Sequence, residues 1–279
     1  MEQESFETKQ IPYEGKNISV HITGPQNDKN TIVLIHGTGG STHTHFNHIF
    51  PMLGVRQQVV SIDLLHKDSD VFELDDYLKQ VQFVIDYLLP SEKITLVGYS
   101  LGAVISTYTA AKLKTRINKL VTLCGWVKTT STQKFYHEIL ENLYLEKSPV
   151  LAKHITLNAF SEPYLTGLST EQIQFITTFM KVDDNYIKQN NLNNNIDLTE
   201  ILGEVIAETL VVSCQDDKLV PVNQCKLLYA GIENSRYAEI KSGHAINSEA
   251  SAQTVQLINN FNQNDNFYPV GSIIATELA

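Results

Sequence analysis

Cysteine is scarce in this chain: Cys124, Cys214 and Cys225 are the only three among 279 residues. They are too few and too dispersed for a disulfide framework or a zinc site. Cys124 and Cys214 each close an apolar run, the setting of a buried strand-end thiol. Basic runs are missing as well. The 21 Lys and Arg are scattered among 31 Asp and Glu, for a net charge of −10. A field of that sign disfavours nucleic acid and anionic membranes as partners. No segment reaches the roughly 20 consecutive apolar residues of a membrane span. The opening Met1-Glu2-Gln3-Glu4-Ser5 has neither the basic nor the apolar region of a secretory signal. A cytoplasmic, reducing setting is therefore expected. Nothing in the sequence bears on the oligomeric state.

The chain is long enough to bury about three quarters of its unfolded surface in one large core. Short runs that are apolar at consecutive positions recur: Ile32 to Ile35, Val59 to Ile62, Ile94 to Val97, Leu120 to Leu123 and Leu210 to Ser213. Central parallel strands need both faces apolar because helices cover both sides of the sheet. The alternating Ile18-Ser19-Val20-His21-Ile22 predicts an earlier, half-exposed strand. Between runs, Leu74, Leu78, Val81, Ile85 and Leu88 form a helical stripe that stops before Pro90. The alternation predicts an α/β fold with a doubly wound, mostly parallel sheet.

The rhythm breaks between Gly125 and Leu202, where helical patterns rich in aromatic residues end in the polar run Asn190 to Asn195. By composition that run is a loop. The expected organisation is a core of residues 1–124 and 203–263, a helical insertion over 125–202 after the sixth strand, and a tail over 264–279. The tail segment Val270 to Ile274 is apolar enough to dock on the core, at a place the sequence does not specify.

The most informative motif is Gly98-Tyr99-Ser100-Leu101-Gly102, lying between the Ile94 strand and a helical run to Leu113. A serine on such a strand–turn–helix sits in a strained conformation with its hydroxyl exposed. Glycines two residues either side are needed where a Cβ would collide with neighbouring elements. Serine at its ordinary pKa is a poor nucleophile and needs a base, which in turn needs an orienting acid. Asp216-Asp217 follows the Leu210 strand, and Gly243-His244 follows the short strand Tyr237 to Ile240. Both groups therefore fall at strand ends on the edge where open α/β sheets bind ligands. Upstream, His36-Gly37-Thr38-Gly39-Gly40-Ser41 follows the Ile32 strand, and its flexible glycines let a backbone amide turn towards Ser100. The amides of Thr38 and Leu101 are the expected oxyanion hole. His36 is expected to anchor this loop by hydrogen bonding.

In this order, Ser100, Asp217 and His244 with the loop after the Ile32 strand, the chain resembles the α/β-hydrolase superfamily over most of its length. It is most similar to the capped, cofactor-free branch of esterases, enol-lactonases and carbon–carbon bond hydrolases. The resemblance implies Asp217 as the acid, four residues before Pro221, with Asp216 as the competing choice. It also implies that the insertion covers the site and selects substrate. The family pattern D-x-x-G-x-G-x-S is lost in Asp63 to Ser69, which is one residue short and lacks both glycines. A serine rather than an aspartate nucleophile argues against epoxide hydrolases and haloalkane dehalogenases.

His43-Thr44-His45-Phe46-Asn47-His48 superficially matches an H-x-H-x-D-H metal motif, with Asn47 where the second metal needs an aspartate. These histidines are expected to begin a helix instead, and neither a metal nor another cofactor is expected. The function expected is a serine hydrolase cleaving a small carboxylic ester, lactone or thioester through an acyl-enzyme on Ser100, with a small-molecule acyl substrate and neither nucleic acid nor membrane as partner. Acyl transfer and carbon–carbon hydrolysis use the same triad and remain open. A ligand-binding relative without turnover is the reading from another class.

Overall fold

A computed structural model describes residues 6–26, 30–264 and 268–276. Among these, nine strands form one sheet: β1 (Glu7–Tyr13), β2 (Lys16–Thr23), β3 (Thr31–Ile35), β4 (Val59–Asp63), β5 (Ile94–Tyr99), β6 (Ile117–Leu123), β7 (Glu208–Cys214), β8 (Ser235–Ile240) and β9 (Ile273–Ile274). Their order is β1-β2-β4-β3-β5-β6-β7-β8-β9. The β1–β2 and β2–β4 pairs are antiparallel, and every pair from β4 to β9 is parallel.

The double-sided strands sort their residues by parity. Val33 and Ile35 join one apolar cluster with Val60, Leu96 and Leu120, while Ile32 and Leu34 join the other with Val59, Val97 and Val121. Helices Leu74–Leu88, Leu101–Leu113 and Val222–Gly231 bury their apolar residues in the first cluster. Helices Ile49–Gly54 and Ser251–Gln263 bury theirs in the second. This is the doubly wound, mostly parallel sheet that the apolar runs predict. Each aliphatic side chain so buried contributes about 1.5–3 kcal/mol relative to exposure.

Three segments carry more structure than composition suggested. β1 went unread because Glu7 to Tyr13 is polar and contains Pro12, features that suit an edge strand. In the tail, Ile273 and Ile274 pair with Tyr237 and Ala238, which extends the sheet beyond β8. The asparagine run is the clearest correction, because helix Asp184–Asn193 continues through most of it. The Asp183 carboxylate caps that helix by accepting from the Tyr186 amide at 2.8 Å. Gln189, Asn190 and Asn193 are buried, and hydrogen bonds of Gln189 and Asn193 to the core outweigh the weak helix propensity of asparagine. The buried face is polar, so no hydrophobic stripe announced the helix.

Residues 125–202 contribute helices Ser131–Leu145, Leu151–Ala159, Glu162–Thr166, Thr170–Thr177 and Asp184–Asn193 between the adjacent strands β6 and β7. The chain thus leaves the sheet at one strand and re-enters beside it.

At the edge of the sheet opposite the strand C-termini, Glu208 lies 3.7 Å from Lys119 Nζ and 3.5 Å from Arg236 Nη2. Both cations are fully buried and the carboxylate is nearly so, and the two cations also donate to the carbonyls of Phe261, Asn264 and Tyr268. The cluster therefore ties the last helix and the tail to β6, β7 and β8. Removing a carboxylate shared by two buried cations costs far more than breaking an exposed pair. Glu208→Ala is expected to lower the unfolding free energy by about 3–5 kcal/mol in urea melts. Glu204→Ala, which frees only the exposed Lys114, is expected to change it by less than about 1 kcal/mol. Equal effects would show that the cluster contributes no more than a surface pair.

Candidate active site

Ser100 stands between β5 and helix Leu101–Leu113 with φ 56° and ψ −123°. That region costs a non-glycine residue about 1–3 kcal/mol, so the surroundings must hold it there. They do so at both ends: the Ser100 amide donates to the Leu123 carbonyl at 2.9 Å, and its carbonyl accepts from Ala103 at 2.8 Å. The helix is buried on nearly all sides and runs tight against the sheet. A side chain on Gly98 would collide with the Gly102 carbonyl, and one on Gly102 with the Ile35 carbonyl. The two glycines are thus required by backbone approach.

Asp217 follows β7 and His244 follows β8, at the same edge as Ser100. His244 Nδ1 lies 2.7 Å from Asp217 Oδ2, and Nε2 lies 2.9 Å from Ser100 Oγ. A carboxylate only accepts, so Nδ1 carries the proton of the neutral ring and Nε2 accepts from the serine hydroxyl. The other oxygen of Asp217 accepts from the amides of Leu219 and Val220, both at 2.8 Å, which fixes its orientation. Asp216 makes no such contact with His244; its backbone amide donates to the Ser242 carbonyl. Of the two adjacent carboxylates, the structure brings Asp217 onto the histidine.

The loop after β3 packs directly on this group, and a side chain on Gly37 would come within 2.9 Å of Ser100 Cβ. Within it, the Gly37 amide donates to His45 Nδ1, the Gly39 amide to Gln189 Oε1 and the Gly40 amide to the Gly37 carbonyl. The Thr38 amide has no acceptor among the described residues. Leu101 opens its helix, so its amide has no intrahelical acceptor either. His36 is buried: its Nε2 accepts from the Leu64 amide at 3.0 Å, and its Nδ1–H donates to the Gly37 carbonyl at 2.9 Å. Burial pushes its pKa down, which keeps the ring in the neutral form this bridge requires. Asp63, at the end of β4, accepts from the amide and hydroxyl of Thr42, both at 2.7 Å, and so pins the helix that follows the loop. Burial alone would raise the Asp63 pKa, but the bonds from Thr42 hold it below the usual carboxylate range.

Several residues at this site gave no sequence signal. Tyr99 donates its hydroxyl to the His244 carbonyl at 3.0 Å, and Glu249 accepts from the Gly243 amide and from Ser161 of the insertion. Gln189 and Asn193 reach the loop from about 150 residues away in the chain. Tyr99 fills a variable position of the Gly98–Gly102 motif; Glu249, Gln189 and Asn193 belong to no short motif, and the fold brings them to the site.

The three histidines after the loop do not converge. His45 faces Gly37 and the Tyr99 ring, His43 packs its ring on Phe6 and His21, and His48 is exposed. Among the described residues, the group with metal-donor geometry is Cys124, Asp217 and His244, whose donor atoms lie within 4.8 Å of one another. Asp217 and His244 are already engaged with each other, and burial pushes the Cys124 thiol well above its ordinary pKa, away from the thiolate a metal needs.

The fold and this edge define a class, the α/β hydrolases. A family model described as the alpha/beta hydrolase fold matches residues 30–251, and the chain belongs to that family. Among curated proteins it is 25% identical over 241 residues to the pyrrolizixenacetamide deacetylase of Xenorhabdus hominickii, with 82% of this chain and 90% of that one covered. It is 26% identical over 251 residues to a 2-hydroxy-6-oxononadienedioate/2-hydroxy-6-oxononatrienedioate hydrolase of Pseudomonas putida, covering 82% and 86%. Among solved structures, an alpha/beta hydrolase from a deep-sea metagenome superposes with a TM-score of 0.80 at 17% identity, covering 92% of this chain and 98% of that one.

His45 carries a consequence for stability. Its pKa is pushed down to about 3, chiefly by burial and further by the neighbouring His36 and His244. The unfolded chain takes up this proton near pH 6.5. The folded chain does so only near pH 3, so stability falls as pH drops between these values. His45→Asn keeps an acceptor for the Gly37 amide and removes the titration. It is expected to shallow the loss of stability between about pH 6.5 and more acidic buffers in urea unfolding. An unchanged slope would show that His45 does not carry it.

Proposed function

We propose that the protein is a serine hydrolase that cleaves a small carboxylic ester, lactone or thioester through an acyl-enzyme on Ser100. The observation that carries this reading is the unbroken chain from Ser100 Oγ through His244 to Asp217, at 2.9 and 2.7 Å. Ser100 Oγ attacks the carbonyl carbon as His244 Nε2 takes its proton. Asp217 holds the Nδ1–H tautomer and stabilises the imidazolium. The Thr38 and Leu101 amides receive the charge on the carbonyl oxygen as the tetrahedral intermediate forms, and one such donor is worth about 10²–10³ in turnover. His244 then protonates the leaving group, and a water deprotonated by the same ring releases the acid.

In this reading residues 125–202 form a cap over the edge where Ser100 lies, on a core of 1–124 and 203–263, followed by a tail from residue 264 in which Ile273 and Ile274 pair with β8. Contacts between the insertion and the loops bearing Gly39, Gly243 and Ala245 support that assignment. A second acyl class is favoured by the deacetylase among the relatives, namely an acetyl group carried on nitrogen, which the same triad would transfer to water.

Ser100→Ala is the direct test. With the circular dichroism spectrum unchanged, it is expected to lower hydrolysis of short p-nitrophenyl esters by at least about 10³-fold. Full retention of activity in the folded variant would overturn the assignment.

A further inference from the structure

The loop that carries Thr38 is held from two sides. On the core side His45 Nδ1 accepts from the Gly37 amide at 3.1 Å. On the other side the holding groups come from the insertion. Gln189 Oε1 accepts from the Gly39 amide at 2.7 Å, and Asn193 Nδ2 donates to the Thr38 hydroxyl at 3.0 Å. Tyr186, on the same helix face, lies so close to Gly39 that any side chain there would collide with its ring. Gly39 itself has φ 63°, a conformation open to glycine at little cost. Gln189 is fully buried, and its Nε2 donates at 3.1 Å to the hydroxyl of Tyr77 on the core helix Leu74–Leu88. Thr38 is therefore flanked by two anchored amides, one fixed by the core and one by the insertion.

A loop with glycines on both sides of Thr38 has many conformations of similar energy when unanchored. A buried glutamine with one end on Gly39 and the other on a core tyrosine removes that freedom. We propose that Gln189 is a positioning residue for the oxyanion hole: it directs the Thr38 amide through Gly39, so that the helical insertion completes the hole as well as covering it. This rests on the serine-hydrolase reading above. Cap closure and oxyanion-hole assembly are then one event, and an enzyme whose cap has opened binds without reacting efficiently.

The test needs no knowledge of the natural substrate. A fluorophosphonate labels an activated serine, and its phosphoryl oxygen occupies the same hole. Second-order labelling rates of the full chain are measured against pH for wild type, Gln189→Leu, Gln189→Glu and Tyr77→Phe. Misplacing a catalytic group by about 1 Å costs up to about 10² in rate. Gln189→Leu is expected to lower the plateau rate by about tenfold or more. The midpoint of the profile should stay unchanged. Gln189→Glu, a buried acid that remains neutral and still offers Gly39 an acceptor, is expected to recover most of the rate. Tyr77→Phe, which loses only the outer hydrogen bond, is expected to show a smaller loss with the same midpoint, and this variant carries the test if Gln189→Leu does not fold. A folded Gln189→Leu that labels at the wild-type rate would overturn the proposal. So would a shifted midpoint, or a Gln189→Glu rate no better than that of Gln189→Leu. Failure of wild type to label would instead overturn the serine-hydrolase reading itself.

Discussion

A left-handed backbone at Ser100, φ 56°, is the constraint on which the rest of this edge depends. It is unfavourable locally, and it persists because the elements around it leave no alternative. The end of β6 accepts its amide, the helix after it is buried nearly all round, and Gly98 and Gly102 admit the carbonyls that approach them. The strain raises the serine hydroxyl above the strand ends and opens a helix behind it with free amides. A parallel sheet supplies the remainder, since β7 and β8 end at the same edge and deliver Asp217 and His244 by loops.

Two of the groups that orient this site are neutral histidine rings. His36 and His45 are both held in the uncharged form by burial, and each uses one ring nitrogen as an acceptor for a loop amide. Charging either ring would remove that acceptor and place a cation in a poorly solvated region. Asp63 anchors the helix after the loop, and the Lys119, Glu208 and Arg236 cluster secures the opposite edge of the sheet. Polar anchoring thus specifies loop geometry, while apolar burial on both faces of the sheet supplies the stability that offsets the strain.

The insertion extends the same logic across a long separation in sequence. Glu249 ties the loop of His244 to Ser161, and the Ala245 amide donates to the Ala159 carbonyl. Gln189 and Asn193 tie the loop of Thr38 to a second helix of the insertion. Both loops that surround Ser100 are therefore shared between core and insertion.

Much of this was legible in the residue order because the physics involved is local. Five apolar runs require a covered sheet, glycines flanking a serine require a sharp turn, and a proline four residues after Asp217 accompanies the turn that presents its carboxylate. The choice of Asp217 over Asp216 came from that family spacing, and its contact with His244 is visible only in three dimensions. The run Asn190 to Asn195 reads as loop by composition, yet most of it ends the helix Asp184–Asn193, whose buried residues are the polar Gln189, Asn190 and Asn193; Gln189 and Asn193 bond to the loop after β3 and to Tyr77. The sequence by itself determined the central strands of the sheet and the sharp turn at Ser100, since each follows from neighbouring residues, and it singled out Ser100, Asp217 and His244 as candidates. Only the tertiary structure decided which buried polar groups orient them, because a hydrogen bond across 150 positions leaves no periodicity to read.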